Sequence, residues 1–333
     1  MHDVSVSSPD LGISQQSSLT KTAPTSPLFE FFLTACKRYA ISSMTLDDYR
    51  RFYADEIRIA ADLRNAHLVQ SFATVPRERY LGPPPWHICS GDRAALTLLG
   101  LNSELYTATS NPADLYHNIL VAIDPRRSLN NGNPSMLARW IDDLELKPGS
   151  RVYHAGCGVG YYTAILAEMV APNGSVVAID VDPDLAARAR ENLANYPHVT
   201  VHTGDGAAFD PGLCDAMLIN AGVTHPHRPW LDRIKPGGCI ILPITAKGSE
   251  YHGNGVMVKL TREPSGFSAR VVSFVSIYSF STLRDLKIEP LLTAAMNART
   301  LFKLKSLILT NHEEADTCII HTSHMCLSSK SLT

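Results

Sequence analysis

The spacing of hydrophobic positions along the chain changes near Asn133. From about Leu28 to Ala73, apolar residues recur every three or four positions, which predicts amphipathic helices. Beyond Asn133, short apolar runs typical of buried strands alternate with helical patterns. Buried strands that alternate with helices indicate a parallel sheet covered by helices on both faces. The sequence therefore predicts an α/β fold with a doubly wound, mostly parallel sheet.

Seven strands are predicted in this sheet. The first five are the apolar runs SRVYHAG, SVVAIDVD, VTVHTGD, DAMLINAG and GCIILPITA. The last two, GVMVKLTR and FSARVVSFVSIYSF, follow one another without a helix between them. Parallel neighbours need a long crossover and antiparallel ones do not. We therefore expect these two strands to form an antiparallel hairpin at the sheet edge.

The rest of the chain divides around this α/β domain, which we place at residues 111–281. Residues 1–27 are rich in Ser, Thr and Pro and are predicted to be disordered, because they cannot bury enough apolar surface to offset the entropy of ordering. Residues 28–110 are predicted to form a helical extension, with Thr45 as the N-cap of one helix. Residues 282–333 are predicted to form a small C-terminal addition with a helix and a short strand.

Composition limits the classes of partner and compartment. The formal net charge of −2 gives the chain no general attraction to nucleic acid or anionic membranes. Seven cysteines without metal-ligand spacing indicate reduced thiols rather than a disulfide framework. No apolar run has the length of a membrane span, and the first residues lack the layout of a signal peptide. We expect a cytoplasmic protein with no nucleic-acid or membrane partner and no bound metal, and the oligomeric state stays open.

The most informative stretch is VYHAGCGVGYYTAIL, in which a strand, a tight turn and a helix follow one another. Gly156, Gly158 and Gly160 form a G-x-G-x-G turn that lets a ligand approach the backbone closely. Dinucleotide sites use G-x-G-x-x-G, and Tyr161 stands where their third glycine would be. The turn therefore favours a ligand without a pyrophosphate, and a nicotinamide dehydrogenase is the weakest alternative.

Two aspartates follow the next two strands. Asp180 ends the run AID, where a carboxylate can accept hydrogen bonds from both ribose hydroxyls of a nucleoside. Asp205 lies in TGDG and can accept from an exocyclic adenine amine, although an aspartate between glycines is also ordinary turn chemistry. Together with the glycine turn, the two carboxylates favour a nucleoside-binding site.

The order of these motifs, closed by IKPGGCIILPI, resembles the class I S-adenosylmethionine-dependent methyltransferases. More narrowly, SFATVPRERYL, GNPSMLARWIDDLELKPGSRV and GDG resemble the protein-L-isoaspartate O-methyltransferase family, over about residues 60–280. The resemblance implies a Rossmann-like sheet and S-adenosyl-L-methionine as the cofactor. It implies contacts to the methionine part of the cofactor from the glycine turn, to the ribose from Asp180, and to the adenine from Asp205 and Gly206. We also expect His154, Val181 and Asn220 to lie in the cofactor site, although His154 could equally be a buried histidine whose hydrogen bonds are satisfied within the fold.

The predicted acceptor side departs from the family. Its members have a Thr-Ile-Ser-type segment whose hydroxyl contacts the acceptor carboxylate, and this chain has NNGNPSM with Gly132 at the serine position. The candidate donors that could replace the hydroxyl are Asn131, Asn133 and Ser135. The preceding segment, which contains Arg127, is predicted to form part of an acceptor lid.

The loop NAGVTHPHRPW, after the fourth predicted strand, supplies further acceptor-side candidates. Ligands of open α/β sheets bind outside the carboxyl ends of the strands, where this loop lies. Thr224 and His225 are the preferred candidates in it, and His225 or His227 could act as a base, while Arg228 could pair with a carboxylate. Each histidine could equally be hydrogen-bonded within a polar loop, and no ligand set for zinc is complete there.

Three functions remain open. The preferred one is carboxyl O-methylation of isoaspartyl or related residues in proteins or peptides. The second is O- or N-methylation of a modified peptide or a small-molecule metabolite, for which His225 or His227 would matter. The third is a catalytically silent S-adenosylmethionine-binding module, which the missing hydroxyl at Gly132 keeps open.

Overall fold

The computed structural model describes residues 44–90, 92, 93, 96 and 104–332. The segment predicted to be disordered, residues 1–27, and the first part of the predicted helical extension lie outside the described residues. Residues Thr45–Thr333 form one structural unit, and the following description concerns that unit.

Two helices begin the described chain, α1 (Leu46–Ala60) and α2 (Ala66–Thr74). Thr45 caps α1, as the sequence predicts. Its Oγ1 accepts from the backbone N–H of Asp48 at 3.2 Å, and the Asp48 carboxylate accepts from the backbone N–H of Thr45 at 2.9 Å. This capping box satisfies two backbone donors at the start of the helix.

A small antiparallel sheet follows the two helices. Its strands, in the order β2-β1-β3-β4, are β1 (Trp86–Cys89), β2 (Thr107–Thr109), β3 (Leu120–Asp124) and β4 (Leu129–Asn130). Two of them, β1 and β2, lie where we predicted a helical extension. That expectation was wrong for these residues, because strands of three or four residues carry too short a pattern to be recognised.

Arg77 attaches the small sheet to the helices. Its side chain is completely buried, and its guanidinium donates to the carbonyl oxygens of Leu115 at 2.7 Å and Ile119 at 2.9 Å. The guanidinium carbon also lies 5.8 Å from the ring centroid of Tyr53 and 6.0 Å from that of Tyr161. These charge-assisted bonds and cation–π contacts fix the chain that leads into β3.

The parallel half of the main sheet shows the predicted alternation of strands and helices. β5 lies between β6 and β8, and β7 and β9 flank them on either side, all in parallel register. The elements are α3 (Pro134–Asp143), β5 (Arg151–Ala155), α4 (Tyr161–Val170), β6 (Ser175–Asp180), α5 (Pro183–Asn192), β7 (Val199–Thr203), β8 (Cys214–Ile219), α6 (Arg228–Asp232) and β9 (Ile234–Lys247).

The other half of the main sheet is antiparallel. The predicted hairpin pairs with β9, and three short C-terminal strands continue the same sheet in the order β11-β12-β14-β13. Its elements are β10 (His252–Glu263), β11 (Gly266–Tyr278), α7 (Ile288–Asn297), β12 (Ser306–Ile308), β13 (Cys318–His321) and β14 (Cys326–Ser328).

Within the described part of the chain, the sheet therefore has ten strands rather than the predicted seven. The difference lies in the C-terminal segment, whose three short strands extend the sheet beyond the hairpin that we expected to be its edge. Because β12 and β14 contain three residues each, they lack the length at which a strand period becomes visible.

The two faces of the sheet pack into two separate cores. Along β6, Val176 and Ala178 contact the core formed with α1–α5, whereas Val177 and Ile179 contact the core formed with α6 and α7. This alternation follows from the two-residue period of a strand. Both faces are covered, as the near-continuous apolar runs predict.

Among the residues that the structure describes, every helix is too short or too polar to cross a bilayer.

Candidate functional site

A cavity of about 480 Å³ opens at the carboxyl ends of the parallel strands. Its floor comes from the turns that follow β5, β6, β7 and β8, and its roof comes from the segment around β4 and from the end of β11. Ligands of open α/β sheets bind at this edge. The cavity is therefore the candidate site.

The glycine turn forms the part of the floor that follows β5. Gly156 and Gly158 line the cavity and adopt left-handed conformations, with φ of +77° and +56°. A Cβ atom on Gly156 would also lie 3.3 Å from the backbone of Asn220. Glycine is therefore required at Gly156 both by its backbone conformation and by the close approach of the next loop.

Gly160 has a different role from the one predicted. It does not line the cavity. It has a φ of +90°, and a Cβ there would lie 2.8 Å from Leu193 Cδ1. Gly160 thus permits the close packing of α4 against the end of α5, and our expectation of a ligand contact was wrong.

The carboxylate of Asp180 lies at the end of β6 and bridges two turns. One of its oxygens accepts from the backbone N–H of Gly158 at 2.7 Å, and the other accepts from that of Asp182 at 3.0 Å. Burial raises the pKa of Asp180 above its usual range, and these backbone bonds partly offset that effect. A carboxylate has about four acceptor positions, so each oxygen can still accept from a ligand hydroxyl.

The predicted adenine side lies beside Asp180. Val181 lines the cavity with 67% of its surface exposed, so an apolar side chain is available to cover a flat ring. The Asp205 carboxylate accepts from the backbone N–H of Ala207 at 2.8 Å and also lines the cavity. A Cβ on Gly206 would lie 3.0 Å from the Tyr153 hydroxyl, which leaves no room for a larger residue.

His154 lies behind the cavity wall rather than in it, which corrects its predicted direct role. The side chain is completely buried, and burial lowers the pKa of His154 to about 3. Asn220 Nδ2 lies 2.9 Å from His154 Nε2, and Thr163 Oγ1 lies 2.9 Å from His154 Nδ1. Because an amide nitrogen only donates, Nε2 accepts and Nδ1 donates to the threonine. His154 therefore orients Asn220.

Two buried amide atoms of cavity-lining residues have no hydrogen-bond partner within the described part of the chain. They are Asn220 Oδ1, an acceptor, and Asn131 Nδ2, a donor. Buried polar atoms are normally paired, and those left unpaired need an explanation. A polar ligand in the cavity would supply the missing partners.

The three predicted donors near Gly132 have different surroundings. Asn131 and Asn133 line the cavity, and Ser135 does not. Asn133 Oδ1 caps α3 by accepting from the backbone N–H of Met136 at 3.2 Å, and it also accepts from the Ser135 hydroxyl at 2.8 Å. The Ser135 hydroxyl accepts in turn from Asn118 Nδ2 at 3.0 Å. Asn133 and Ser135 thus form hydrogen bonds that cap the N-terminus of α3. Of the three, Asn131 is the residue whose side-chain donor is available to a ligand in the cavity.

Gly132 itself has no room for the serine of the family pattern. It has a φ of +77°, and a Cβ there would lie 2.9 Å from Leu137 Cδ2. A hydroxyl-bearing residue would have to displace Leu137 and to adopt a strained backbone. The left-handed backbone at this position therefore favours glycine over serine.

The part of the loop after β8 that carries the histidines, residues 224–228, does not line the cavity. Thr224 is completely buried, and its Oγ1 contacts His225 Nδ1 at 2.9 Å, donates to the Leu283 carbonyl at 3.2 Å and accepts from the Asp285 N–H at 2.9 Å. Neither Thr224 nor His225 lines the cavity. The prediction that they face an acceptor was wrong, because the loop folds back onto the segment before α7.

His227 and Arg228 also have structural partners. His227 Nε2 lies 3.1 Å from the carbonyl oxygen of Ala207, and its ring packs edge-on against Trp230. Arg228 pairs with Asp232 at 2.8 Å on the surface. Neither residue lines the cavity.

Arg127 connects the roof of the cavity to its surroundings. It lies in the segment that we predict to form part of the acceptor lid. Arg127 donates to the Asp182 carboxylate at 2.7 Å across the cavity mouth, and its carbonyl oxygen accepts from the Tyr278 hydroxyl. Arg127, Asp182 and Tyr278 all line the cavity. The lid is therefore attached to the floor on one side and to the end of β11 on the other.

β10 and β11 bring to the cavity two residues that were not predicted from the sequence. His252 and Tyr278 both line it, and their rings pack at 4.5 Å between centroids. Burial lowers the pKa of His252, so its ring is neutral at physiological pH. Among the described residues that line the cavity, His252 is the one imidazole.

Curated proteins are similar to the chain in sequence. The protein-L-isoaspartate O-methyltransferase of Ignicoccus hospitalis is 35% identical over 138 residues, which are 40% of this chain and 64% of the relative. The enzyme of the same name from Hyperthermus butylicus is 37% identical over 142 residues, which are 39% of this chain and 58% of the relative. The chain thus spans less than two thirds of the length of these curated relatives.

A solved structure agrees with the fold. It is described as a putative protein-L-isoaspartate O-methyltransferase from Plasmodium falciparum in complex with S-adenosyl-L-homocysteine. It is 17% identical, has a TM-score of 0.51, and covers 69% of this chain and 97% of its own. This likeness confirms the predicted Rossmann-like architecture.

A family model described as protein-L-isoaspartate(D-aspartate) O-methyltransferase matches residues 87–277. The match covers more than half of the chain and includes the glycine turn, both aspartates and the hairpin that contributes to the roof. The chain belongs to the protein-L-isoaspartate(D-aspartate) O-methyltransferase family.

Proposed function

We propose that the protein is an S-adenosyl-L-methionine-dependent methyltransferase that methylates the carboxyl group of isoaspartyl or related residues in proteins or peptides. The observation that carries the proposal is the convergence of the glycine turn, Asp180 and Asp205 in one cavity at the carboxyl ends of the strands. Membership of the family supports the reaction class.

The cavity residues fit the proposed cofactor. Gly156 and Gly158 leave the backbone accessible, so they would hold its methionine part, and Asp180 would accept from its ribose hydroxyls. Val181 and Asp205 would contact its adenine, and Asn220 Oδ1 would gain the partner that it lacks within the described chain. When bound, S-adenosyl-L-methionine supplies a methyl group that is already activated for transfer.

The residues of the chain then have to position the acceptor and keep water out. A carboxylate acceptor is ionised at neutral pH and needs no general base, so the remote positions of His225 and His227 do not argue against it. Asn131 Nδ2 is the buried donor available to an acceptor carboxylate in place of the family's hydroxyl. The lid held by Arg127 would cover the reacting groups.

Transfer of labelled methyl groups to an isoaspartyl peptide tests the function directly. We expect base-labile label on the isoaspartyl peptide and at least about a hundredfold less on the matched aspartyl peptide, because a misplaced acceptor loses most of the gain from orientation. The enzyme with Asp180→Ala serves as the negative control.

The absence of label, with S-adenosyl-L-homocysteine binding measured in the same preparation, would contradict carboxyl methylation of isoaspartate. The acceptor would then be a hydroxyl or amine on a peptide or small molecule, for which the neutral ring of His252 is the base within the cavity. Failure of every acceptor class would leave a silent cofactor-binding module.

We also propose a reducing compartment such as the cytoplasm, because Cys157, Cys214 and Cys239 are buried thiols outside any disulfide.

A further inference from the structure

Four potential metal ligands meet in the C-terminal part of the chain, away from the cavity. His312, Cys318, His321 and Cys326 each offer one ligand atom, and these atoms all lie within 4.8 Å of one another. Within this group, His312 Nε2 lies 3.5 Å from Cys318 Sγ. A nitrogen and a sulfur bound to one tetrahedral zinc ion are about 3.6 Å apart, from the usual bond lengths. This pair is therefore already at the spacing that a shared metal requires.

A β-bulge brings three of the four residues to one face of the hairpin β13–β14. Residues three apart on a regular strand point to opposite faces. Between Cys318 and Ile320 the register shifts, so that Cys318 pairs with Ser328 and His321 pairs with Cys326. The extra residue turns Cys318 to the side of His321 and Cys326.

The opposite face of the same hairpin is apolar. Ile320 and Leu327 are paired and nearly completely buried in the core shared with α7. The hairpin thus separates its apolar residues from its cysteine and histidine residues. A packing role alone would not require two thiols and two imidazoles to share the second face.

His312 closes this face from the connection between β12 and β13. Its Nδ1 lies 3.1 Å from the carbonyl oxygen of Thr310, and its ring centroid lies 4.8 Å from that of His321. Since a carbonyl only accepts, Nδ1 carries a proton; in the neutral ring the lone pair then lies on Nε2, the nitrogen that faces Cys318 Sγ. Histidines that bind metals are oriented in the same way, by a carbonyl that holds their second nitrogen.

His321 supplies an independent observation. Its Nδ1 is buried and has no hydrogen-bond partner among the described residues. A buried ring nitrogen without a partner is costly, and a bound cation would satisfy it. A thiol pair held together only by packing would leave this nitrogen unexplained.

We propose that His312, Cys318, His321 and Cys326 bind one Zn²⁺ ion in a tetrahedral site. Two imidazoles and two thiolates are the donor set that suits zinc, and four protein ligands leave no open coordination position. The site is therefore structural. Two thiolates also balance the charge of the ion.

The ion would stabilise the edge of the main sheet that β13 forms. β13 is the last strand in the order and pairs only with β14 among the described strands. Such an edge is prone to fraying and to pairing with other chains. A metal that joins β13, β14 and the loop containing His312 would cross-link all three segments at this edge.

Metal content of the purified full chain tests the site. We expect about one zinc per chain by elemental mass spectrometry when no chelator is used during purification. The double variant Cys318→Ser, Cys326→Ser should retain less than about a fifth of that metal. His324→Ala is the matched control, because this exposed histidine lies in the same hairpin turn outside the four-ligand group.

A second measurement does not depend on the folding of the variants. After the wild-type chain is stripped with a chelator, added Co²⁺ should give the absorption of a tetrahedral cobalt–thiolate centre, and Zn²⁺ should abolish it. Removal of the metal should also lower the Tm by about 5 °C or more, and re-addition of Zn²⁺ should restore it.

Three results would overturn the proposal. The first is that the wild-type protein carries no stoichiometric metal and gives no cobalt–thiolate absorption. The second is that the zinc content of the double variant equals that of the wild type. The third is a disulfide between Cys318 and Cys326 in protein purified under reducing conditions. The site lies outside the cofactor cavity, so each of these results is independent of the methyltransferase assay.

Discussion

Replacement of Asp180 by alanine should weaken the binding of S-adenosyl-L-homocysteine by about 10²–10⁴-fold. The proposed site assigns two ribose hydroxyls to this carboxylate, and a hydrogen bond to a charged group contributes about 1.5–3 kcal/mol. Each 1.4 kcal/mol is a factor of ten in the dissociation constant. The change also removes the acceptor that aligns the N–H groups of Gly158 and Asp182. Isothermal titration calorimetry measures the effect.

Asp184→Ala is the matched control for this variant. Asp184 lies four residues further along, at the start of α5, and its side chain is exposed and outside the cavity lining. Loss of this surface charge should change the dissociation constant by no more than about twofold. An unchanged dissociation constant in Asp180→Ala, with the control also unchanged, would remove Asp180 from the cofactor site.

Replacement of Gly156 by valine should lower cofactor affinity by about a hundredfold or more. The left-handed backbone at this position costs about 1–2 kcal/mol for a residue with a side chain. The new atoms also lie against the Asn220 backbone, at 3.3 Å for the Cβ alone, and such overpacking costs about 1–3 kcal/mol. Relief of either strain moves the turn that the methionine part of the cofactor would contact.

The variant Gly149→Val separates the effect of backbone strain from the effect of overpacking against Asn220. Gly149 has a φ of +90°, and a Cβ there would meet nothing within 4 Å. Both variants should lose stability in urea unfolding, because both bear the backbone strain. Only Gly156→Val should lose S-adenosyl-L-homocysteine binding. An equal loss of affinity in the two variants would mean that strain, rather than the closure of the cavity, accounts for the effect.

The floor of the candidate site could be predicted because its signals are local. Asp180 is the last residue of β6, and Gly156 and Asp205 stand in the turns after β5 and β7. Parallel strands bring their carboxyl ends to one edge of a sheet, so the order of motifs along the chain was enough to place them together. Gly160 shows the limit of this argument, since the same motif also serves helix packing.

The part of the roof that comes from β10 and β11 could not be predicted, because its residues depend on long-range pairing. His252 and Tyr278 are register partners at the open end of the hairpin β10–β11, and nothing in their neighbourhoods in the sequence indicates that they meet the lid. His225 illustrates the opposite error. Its position after β8 suggested the cavity, but the bond from Thr224 to Leu283 turns the loop away.

The cysteine and histidine group escaped prediction for a geometric reason. The spacing from His312 through Cys318 and His321 to Cys326 matches no common metal motif, and in a regular strand Cys318 and His321 would face opposite ways. A β-bulge brings Cys318 and His321 to the same face, and the residue types around it do not indicate that a bulge is present. The sequence therefore predicted no metal, and the fold brings the four ligands together.

The buried hydrogen bonds that link Thr163, His154 and Asn220 make the folded protein less stable in acid. In the unfolded chain this imidazole takes up a proton near its ordinary pKa of 6.5, whereas in the folded protein it does so only near pH 3. Between these values the unfolded state binds more protons, so the free energy of unfolding falls as the pH falls, by up to about 1.4 kcal/mol per unit for this one group. The residue that keeps Asn220 in place at neutral pH thus becomes a source of instability in an acidified solution.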